Sequence, residues 1–472
     1  MENVLSKFPR KFSMPHTYVL LFGIMALMAL LTWVVPAGEF ERVMIDGRTV
    51  VVPGSYQIIE SNPQGWFDLL KALPNGFAEV QNIAFFLFLT GGSFALINET
   101  GMIEGVIGKI VRLLQGKEAI VIPVVMLMLA IGGATIGLAE ETIVFVALGV
   151  ALARALGYDA MVGTAMIALG AAIGFYAGFM NPFSVGVAQE IAELPLFSGV
   201  GLRLVLFFSL WIVTSWYIIR YAKKVKRNPE NSLVYELEKE ERANGAHEDI
   251  TEKTADFTKR HALISAVFVG GFILIAFGVF QYGWFITEIG AVFFAMGLLS
   301  ALISGMNPNQ IAESFVKGAQ EMVFAALIVG LARGILVVME NGLILDTLVY
   351  ALTNLIGQLP DALAVIGMYL TQIVINFFIP SGSGQAAATM PVMIPLADSL
   401  GITRQTAVLA YQMGDGFLDS IIPTSGVLMA QLSLAKISYG KWAKFLMPLI
   451  IIWLLIGMAF LLFANWMNYG PF

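Results

Sequence analysis

Apolar runs of membrane-spanning length alternate with short polar interruptions along nearly the whole chain. Runs near 18–36, 77–97, 119–136, 142–158, 161–192, 202–221, 262–282, 284–304, 318–338, 362–399, 403–430 and 444–465 predict helices, because lipid tolerates only backbone whose polar groups are satisfied internally. The pattern predicts an all-α polytopic membrane protein. The first run, Tyr18 to Val35, is long and has no small-residue cleavage signature after it, so it is expected to stay as an anchor. The stretch "GMIEGVIGKIVRLLQ" differs from the spans: Glu104, Lys109 and Arg112 share one arc, while Met102, Ile103, Val106, Ile110, Leu113 and Leu114 take the other. It predicts a helix lying in the membrane interface.

Polar punctuation recurs in order. "GFAEVQNIAFFLFL" from Gly76 meets "GAQEMVFAALIVGL" from Gly318, and "NETGMI" from Asn98 meets "MENGLI" from Met339. "GYDAMVGTAMIALG" from Gly157 meets "GITRQTAVLAYQMG" from Gly401, and "MNPFSVGVAQ" from Met180 meets "IIPTSGVLMAQ" from Ile421, at offsets of 241 to 244 residues. Repeats of this kind suggest a transporter with a pseudo-two-fold axis. Basic clusters at Lys7, Arg10 and Lys11, at Lys109, Arg112 and Lys117, and in "RYAKKVKR" from Arg220 are expected in the cytoplasm. Counting crossings then places the N-terminus inside and the C-terminus outside an inner (cytoplasmic) membrane. It makes 119–158 and 362–399 re-entrant hairpins, and 161–192 and 403–430 broken crossings. The expected divisions are an N-terminal span with an external loop (1–75), a first inverted repeat (76–221), a polar, acid-rich cytoplasmic linker (222–260), two scaffold spans (261–317) and a second inverted repeat (318–472).

Four interruptions carry the candidate chemistry. Ser381, Gly382, Ser383, Gly384 and Gln385 are expected at the tip of the second hairpin, where bare backbone survives only if buried in protein or lining a wet cavity. Such a tip can hold an ion or a substrate head group on free N–H groups, with Pro380 ending the incoming arm. A Gly/Ser turn serving only close helix packing is the alternative. Glu140, Glu141 and Thr142 form the counterpart tip, and adjacent carboxylates between apolar arms require a partner, a proton or water. "YAGFMNPFS" breaks one helix and offers Asn181 and Ser184. "YQMGDGFLDSIIPTSG" breaks its partner and offers Asp415, Asp419, Thr424 and Ser425; the two aspartates, one helical turn apart, face the same way. Glu79 and Glu321 look like flanking residues, and Arg333 like a pairing or snorkelling cation.

Composition narrows the classes. The 472 residues are 58 % hydrophobic and 13 % charged, and the formal net charge is -6. Zero Cys removes disulfides, thiolate ligands and Cys nucleophiles, and the three His (His16, His247, His261) make a classical metal site or a catalytic triad improbable. No GK[ST] follows a Gly-rich loop, so no ATP-hydrolysing machinery is expected and the chain does not look like an enzyme. Neither a cofactor nor a nucleic-acid partner is expected. No Lys or Arg occurs from Ala155 to Leu202, Asp361 to Thr403 or Gln405 to Ala435, so the permanent charges of the candidate site, Glu140, Glu141, Asp415 and Asp419, favour a cation.

"PSGSGQAAATMPVMIPLADSLGITRQ" and "YQMGDGFLDSIIPTSG" make the chain resemble, over nearly its whole length, the C4-dicarboxylate anaerobic carrier family and its YfcC-like branch within the ion transporter superfamily. The resemblance implies inverted repeats, re-entrant hairpins and an elevator-like motion against a homodimeric scaffold. It also implies that the four interruptions surround substrate and coupling ions, with a possible sodium site at Thr142, Asn181, Ser383 and Thr424. Better-known carboxylate carriers of the superfamily carry Ser-Asn-Thr at both tips, where this chain has "EET" and "SGQ". Relatives in the branch are linked to arginine/ornithine exchange. The expectation is therefore a secondary transporter of a basic amino acid, its α-carboxylate on the N–H groups of Ser381 to Gln385 and its side-chain cation on Asp415, Asp419 or the Glu140/Glu141 pair. The alternative is proton- or sodium-coupled uptake of a C4-dicarboxylate or another small metabolite.

Overall fold

A computed structural model of the protein describes residues 16–45, 48–113, 116–243 and 257–470. Lys7, Arg10, Lys11, Leu114 and His247 lie outside the described residues. Helix α1 (Thr17–Leu31) leads to four short strands, β1 (Gly38–Glu39), β2 (Arg42–Ile45), β3 (Arg48–Val51) and β4 (Gln57–Ile58), paired antiparallel as β1–β4 and β2–β3. These short strands sit in the loop after α1 of a protein that is otherwise all-α, as expected. Val43 and Val51 are β-branched residues of the kind that favour strands, Val51 buried and Val43 exposed.

The first half continues with α2 (Trp66–Glu79), α3 (Gln81–Glu99), α4 (Met102–Leu113), α5 (Val121–Thr135), α6 (Thr142–Ala155), α7 (Ala160–Ala177), a π-helical turn at Pro182–Gly186, α8 (Val187–Ile191) and α9 (Val200–Arg227). After α10 (Tyr235–Ala243), α11 (Lys259–Tyr282) and α12 (Ile286–Ser304), the same succession returns as α13 (Pro308–Glu321), α14 (Val323–Asn341), α15 (Leu345–Ile356), α16 (Asp361–Asn376), α17 (Gly382–Ser399), α18 (Arg404–Asp419), α19 (Gly426–Leu434) and α20 (Tyr439–Trp466). Among the described residues, eight helices are long and apolar enough to cross a membrane. The protein is a multi-pass membrane protein.

Two of the expected spans are longer than the apolar pattern suggests. The runs near 77–97 and 318–338 are the second parts of helix pairs, α2–α3 and α13–α14, bent at Val80 and Met322. The first members, with Asp68 and Lys71 in α2 and Glu313 and Lys317 in α13, are too polar to announce themselves as spans. The pairs pack crosswise, α2 on α14 and α3 on α13. Glycine makes the approach possible, since a Cβ on Gly76 would lie 2.6 Å from the Gly330 carbonyl oxygen and one on Gly318 would lie 2.5 Å from that of Gly91. In lipid, where apolar burial does not drive helix association, such backbone contact supplies the packing energy.

A second group of helices, α5 to α8 with α16 to α19, packs together. α5 packs on α7 as α16 packs on α18, and α6 meets α19 as α17 meets α8. α7 starts on Asp159, whose carboxylate accepts from the Val162 N–H at 2.9 Å, and it stops at Gly178, left-handed at φ 46°.

The acid-rich linker is partly folded. In α10, Glu238 accepts from Arg154 Nε at 3.1 Å and from the Ala160 N–H at 2.9 Å, while Glu241 takes Lys436 Nζ at 2.9 Å. One short helix thus ties the end of α6 to the turn after α19. The hydrogen bond from Lys436 holds the Glu241 carboxyl below its ordinary value of 4.5, and Arg154 adds attraction. A lowered folded pKa means that this stabilisation is complete above the unfolded value and is lost as pH falls through the folded one. A fluorophore on a single Cys introduced at exposed Glu240 is therefore expected to gain mobility below about pH 4.5. In Glu241→Gln it should be more mobile already at neutral pH and lose that acid transition. The contribution is small, about 1 kcal/mol or less; an acid transition unchanged in the variant would reject the assignment.

Candidate functional site

Three helices begin around one cavity. The hydroxyl of Ser381 accepts from the Gly384 N–H at 3.4 Å and starts α17; Ser425 accepts from the Leu428 N–H at 3.4 Å and starts α19; α6 starts at Thr142. The cavity has a volume of about 400 Å³, in the range that encloses small organic molecules. The starts of α6, α17 and α19 form one wall with Gly137, Leu138, Ala139, Glu140, Asp419, Ser420 and Thr424. The facing wall comes from the long helix pairs, with Glu79, Asn82, Ile83, Val329, Ala332, Arg333 and Leu336. Phe183 and Phe285 meet with ring centroids 5.0 Å apart where the walls join.

Of the candidate residues, Glu140, Thr142, Ser381, Gly382, Ser383, Asp419, Thr424 and Ser425 line this cavity; Glu141, Asn181, Ser184, Gly384, Gln385 and Asp415 do not. Local bonding explains the second group. Glu141 turns back to accept from the Ala139 N–H at 3.1 Å. Asn181 uses its carboxamide oxygen on the Phe183 and Ser184 N–H groups and its nitrogen on the Gly133 carbonyl, and Ser184 accepts from Gln412 at 3.0 Å. Gln385 is not part of a bare tip, because α17 has already begun at Gly382. Its side chain is buried and donates to the Gln372 carboxamide at 2.7 Å, with Thr389 completing the network.

The two aspartates part company. Asn376 Nδ2 approaches Asp419 at 3.2 Å and Asp415 at 3.4 Å, so one buried amide spans both. Asp415 is fully buried and its Oδ2 has no hydrogen-bond partner among the described residues, whereas Asp419 is half-buried and faces the cavity. Beside it Ser420 bonds to Tyr176 and supplies its carbonyl to Trp442 Nε1 at 2.8 Å.

The four residues expected to hold sodium do not form one set. Thr142, Ser383 and Thr424 line the cavity, but Asn181 lies outside it with its polar atoms engaged. Thr142 donates to the Ala139 carbonyl and accepts from Gln431 at 2.7 Å; Thr424 Oγ1 is buried without a partner among the described residues. Among the described residues no group of three or more His, Cys, Asp or Glu is disposed to hold a metal ion.

Arg333 and Glu79 correct the expectation of a site without a permanent cation. Arg333 Nε lies 2.5 Å from Glu79 Oε2, and both side chains remain partly exposed to the cavity. The signal was a guanidinium alone in an apolar 19-residue helix. Gln431, which holds Thr142, is not among the residues the sequence singled out, although it stands at the repeat position of Gln189.

The model of the C4-dicarboxylate anaerobic carrier family matches residues 14–465. The chain is 36 % identical over 478 residues to a putative basic amino acid antiporter, YfcC, of Escherichia coli (strain K12), covering 93 % of this chain and 94 % of the relative. It is 32 % identical over 495 residues to an uncharacterised protein of Haemophilus influenzae, covering 96 % and 97 %. Among solved structures, the YdaH transporter of Alcanivorax borkumensis aligns with a TM-score of 0.45 at 15 % identity over 97 % of this chain and all of the other. MtrF of Neisseria gonorrhoeae, described as illuminating a class of antimetabolite efflux pumps, aligns at 0.43 and 16 % over 96 % of each.

Proposed function

The chain belongs to the C4-dicarboxylate anaerobic carrier family, and from that premise we propose that it exchanges one basic amino acid for another, arginine against ornithine. At the coarser level it is a membrane-embedded secondary transporter of a small solute. The observation that carries the exchange proposal is the charge on the cavity wall. Glu79, Glu140 and Asp419 face one guanidinium, Arg333, which Glu79 already neutralises. Glu140 and Asp419 are left to attract a cation, and such attraction is stronger beside protein than in bulk water. The name carried by the Escherichia coli relative agrees with this chemistry.

A substrate with one cationic and one anionic end suits the rest of the cavity. Its ammonium end would lie against Glu140 and Asp419. Its carboxylate would lie on the N–H groups at the starts of α17 and α19, where helix dipoles place positive charge. Motion of the hairpin-bearing body past the long helix pairs, in an elevator sense and within a homodimer, is part of the proposal; the recurrence of α2–α9 as α13–α20 supports it. A carrier whose unneutralised carboxylates resist crossing, and whose loaded site crosses freely, exchanges without ATP.

The family's own description favours a second proposal, proton- or sodium-coupled transport of a C4-dicarboxylate, and does so more directly than it favours exchange. Arg333 and the three helix starts would then hold the substrate carboxylates, while Glu140 and Asp419 hold the coupling ion. Proteoliposomes preloaded with unlabelled ornithine separate the two. Exchange predicts entry of labelled arginine only when ornithine is inside. Entry of labelled succinate, driven by a sodium or proton gradient and indifferent to ornithine, would replace exchange with the second proposal.

A further inference from the structure

We propose that Arg333 is the residue that takes the substrate's carboxylate, and that Glu79 occupies it as an internal stand-in while the cavity is empty. The proposal deepens the transport function above and changes one element of it, moving the substrate's carboxylate from the helix starts to a specificity determinant on the wall opposite the hairpin tips. It rests on the cavity being the transport site, but not on which solute is carried.

Arg333 sits within α14, at a depth where an unpaired guanidinium is costly and a retained one has a use. Only its Nε bonds to Glu79, at 2.5 Å; the two terminal nitrogens make no hydrogen bond to any described residue. A guanidinium presents a planar fork that matches a carboxylate through two parallel N–H bonds, and this fork is half used. The pair is also far from sealed, since 30 % of the Arg333 side chain and 37 % of that of Glu79 are exposed. A pair built only for structure has no reason to border the cavity with open donors. A carboxylate entering from the cavity would meet Nη1 and Nη2 directly, and Glu79 would be released from a cation it no longer neutralises.

The arrangement gives the site a polarity. Arg333 comes from the long helix pairs, whereas Glu140 comes from the turn before α6 and Asp419 from the end of α18 on the opposite wall. A solute with an anionic and a cationic end would be held across the cavity between the two walls, and a diamine lacking the carboxylate would leave Arg333 with Glu79. Charge-assisted hydrogen bonds are strong enough for discrimination on the order of 10- to 100-fold.

The experiment compares ligand pairs that differ in one carboxylate, ornithine with putrescine and succinate with succinamate, by thermal-shift titration of the purified full chain. The wild type is expected to prefer the carboxylate-richer member of whichever pair it recognises by on the order of 10- to 100-fold. Arg333→Gln should bring that ratio close to one, chiefly by weakening the richer member, and Arg333→Lys should restore part of it. Glu79→Gln, which removes the competing carboxylate without touching the fork, should tighten binding of the richer member several-fold. It keeps the test decisive if Arg333→Gln does not fold. A ratio unchanged in Arg333→Gln, weaker binding of the richer member in Glu79→Gln, or a wild type with no preference in either pair overturns the proposal. Recognition of the succinate pair alone, with the ratio lost in Arg333→Gln, would defeat arginine/ornithine exchange and leave the role of Arg333 standing.

Discussion

Asp419→Asn is expected to reduce ornithine-dependent arginine uptake by on the order of 30-fold or more while leaving the purified protein monodisperse, because removing one partner of a buried charge contact costs about 2–5 kcal/mol. Asp419 lines the cavity from the last turn of α18, and its carboxylate is held by Asn376 Nδ2 at 3.2 Å. Replacing it by Asn keeps size and shape but leaves the substrate's ammonium end with Glu140 alone. Asp415→Asn is the contrasting variant. Asp415 sits one turn deeper, fully buried and off the cavity wall, so its loss should change melting temperature more than half-saturation concentration. Uptake by Asp419→Asn at the wild-type rate and half-saturation would remove Asp419 from the site. Equal transport defects in both variants would mean that the two carboxylates act as one unit through Asn376.

The division between Asp415 and Asp419 also marks what the sequence can reveal. Their spacing puts both on one helical arc, yet burial separates them, and burial depends on α16 contributing Asn376 from 39 residues away. The helix breaks were legible because Gly and Pro interrupt apolar text, and local chemistry decides where a helix starts. Gln385 shows the limit of that reading. "SGSGQ" reads as a bare tip, but the Ser381 hydroxyl caps α17 early enough to carry Gln385 inside the helix and into a network with Gln372. The Glu79–Arg333 pair joins residues 254 apart, and Arg154 reaches Glu238 across 84. Neither leaves a local period to detect. An isolated charge in an apolar run announces that a partner exists without saying which repeat supplies it.

That dependence on contacts between distant helices gives the second large effect. Gly174→Ala is expected to destabilise the body that carries the hairpin tips by about 3 kcal/mol or more, at the upper end for overpacking a close-fitted contact. A Cβ on Gly174 would run into the Ala130 carbonyl of α5, and one on Gly133 would run into the Ala171 carbonyl of α7, so the two helices touch backbone to backbone on both sides of their crossing. A side chain can rotate away from a new methyl group, but a carbonyl fixed in a helix can yield only if the helix moves. Displacing α5 would also displace the tip at Gly137 to Glu140, because Met180 donates its N–H to the Ala134 carbonyl and Asn181 its amide to that of Gly133. The expected result is a lower melting temperature and a loss of transport capacity, with half-saturation shifted as well, since Glu140 moves with the tip. Gly201→Ala is the matching control, because a Cβ there meets nothing within 4 Å. Wild-type melting and uptake in Gly174→Ala would show that the crossing of α5 and α7 has slack, and with it that the position of Glu140 is not set by this contact.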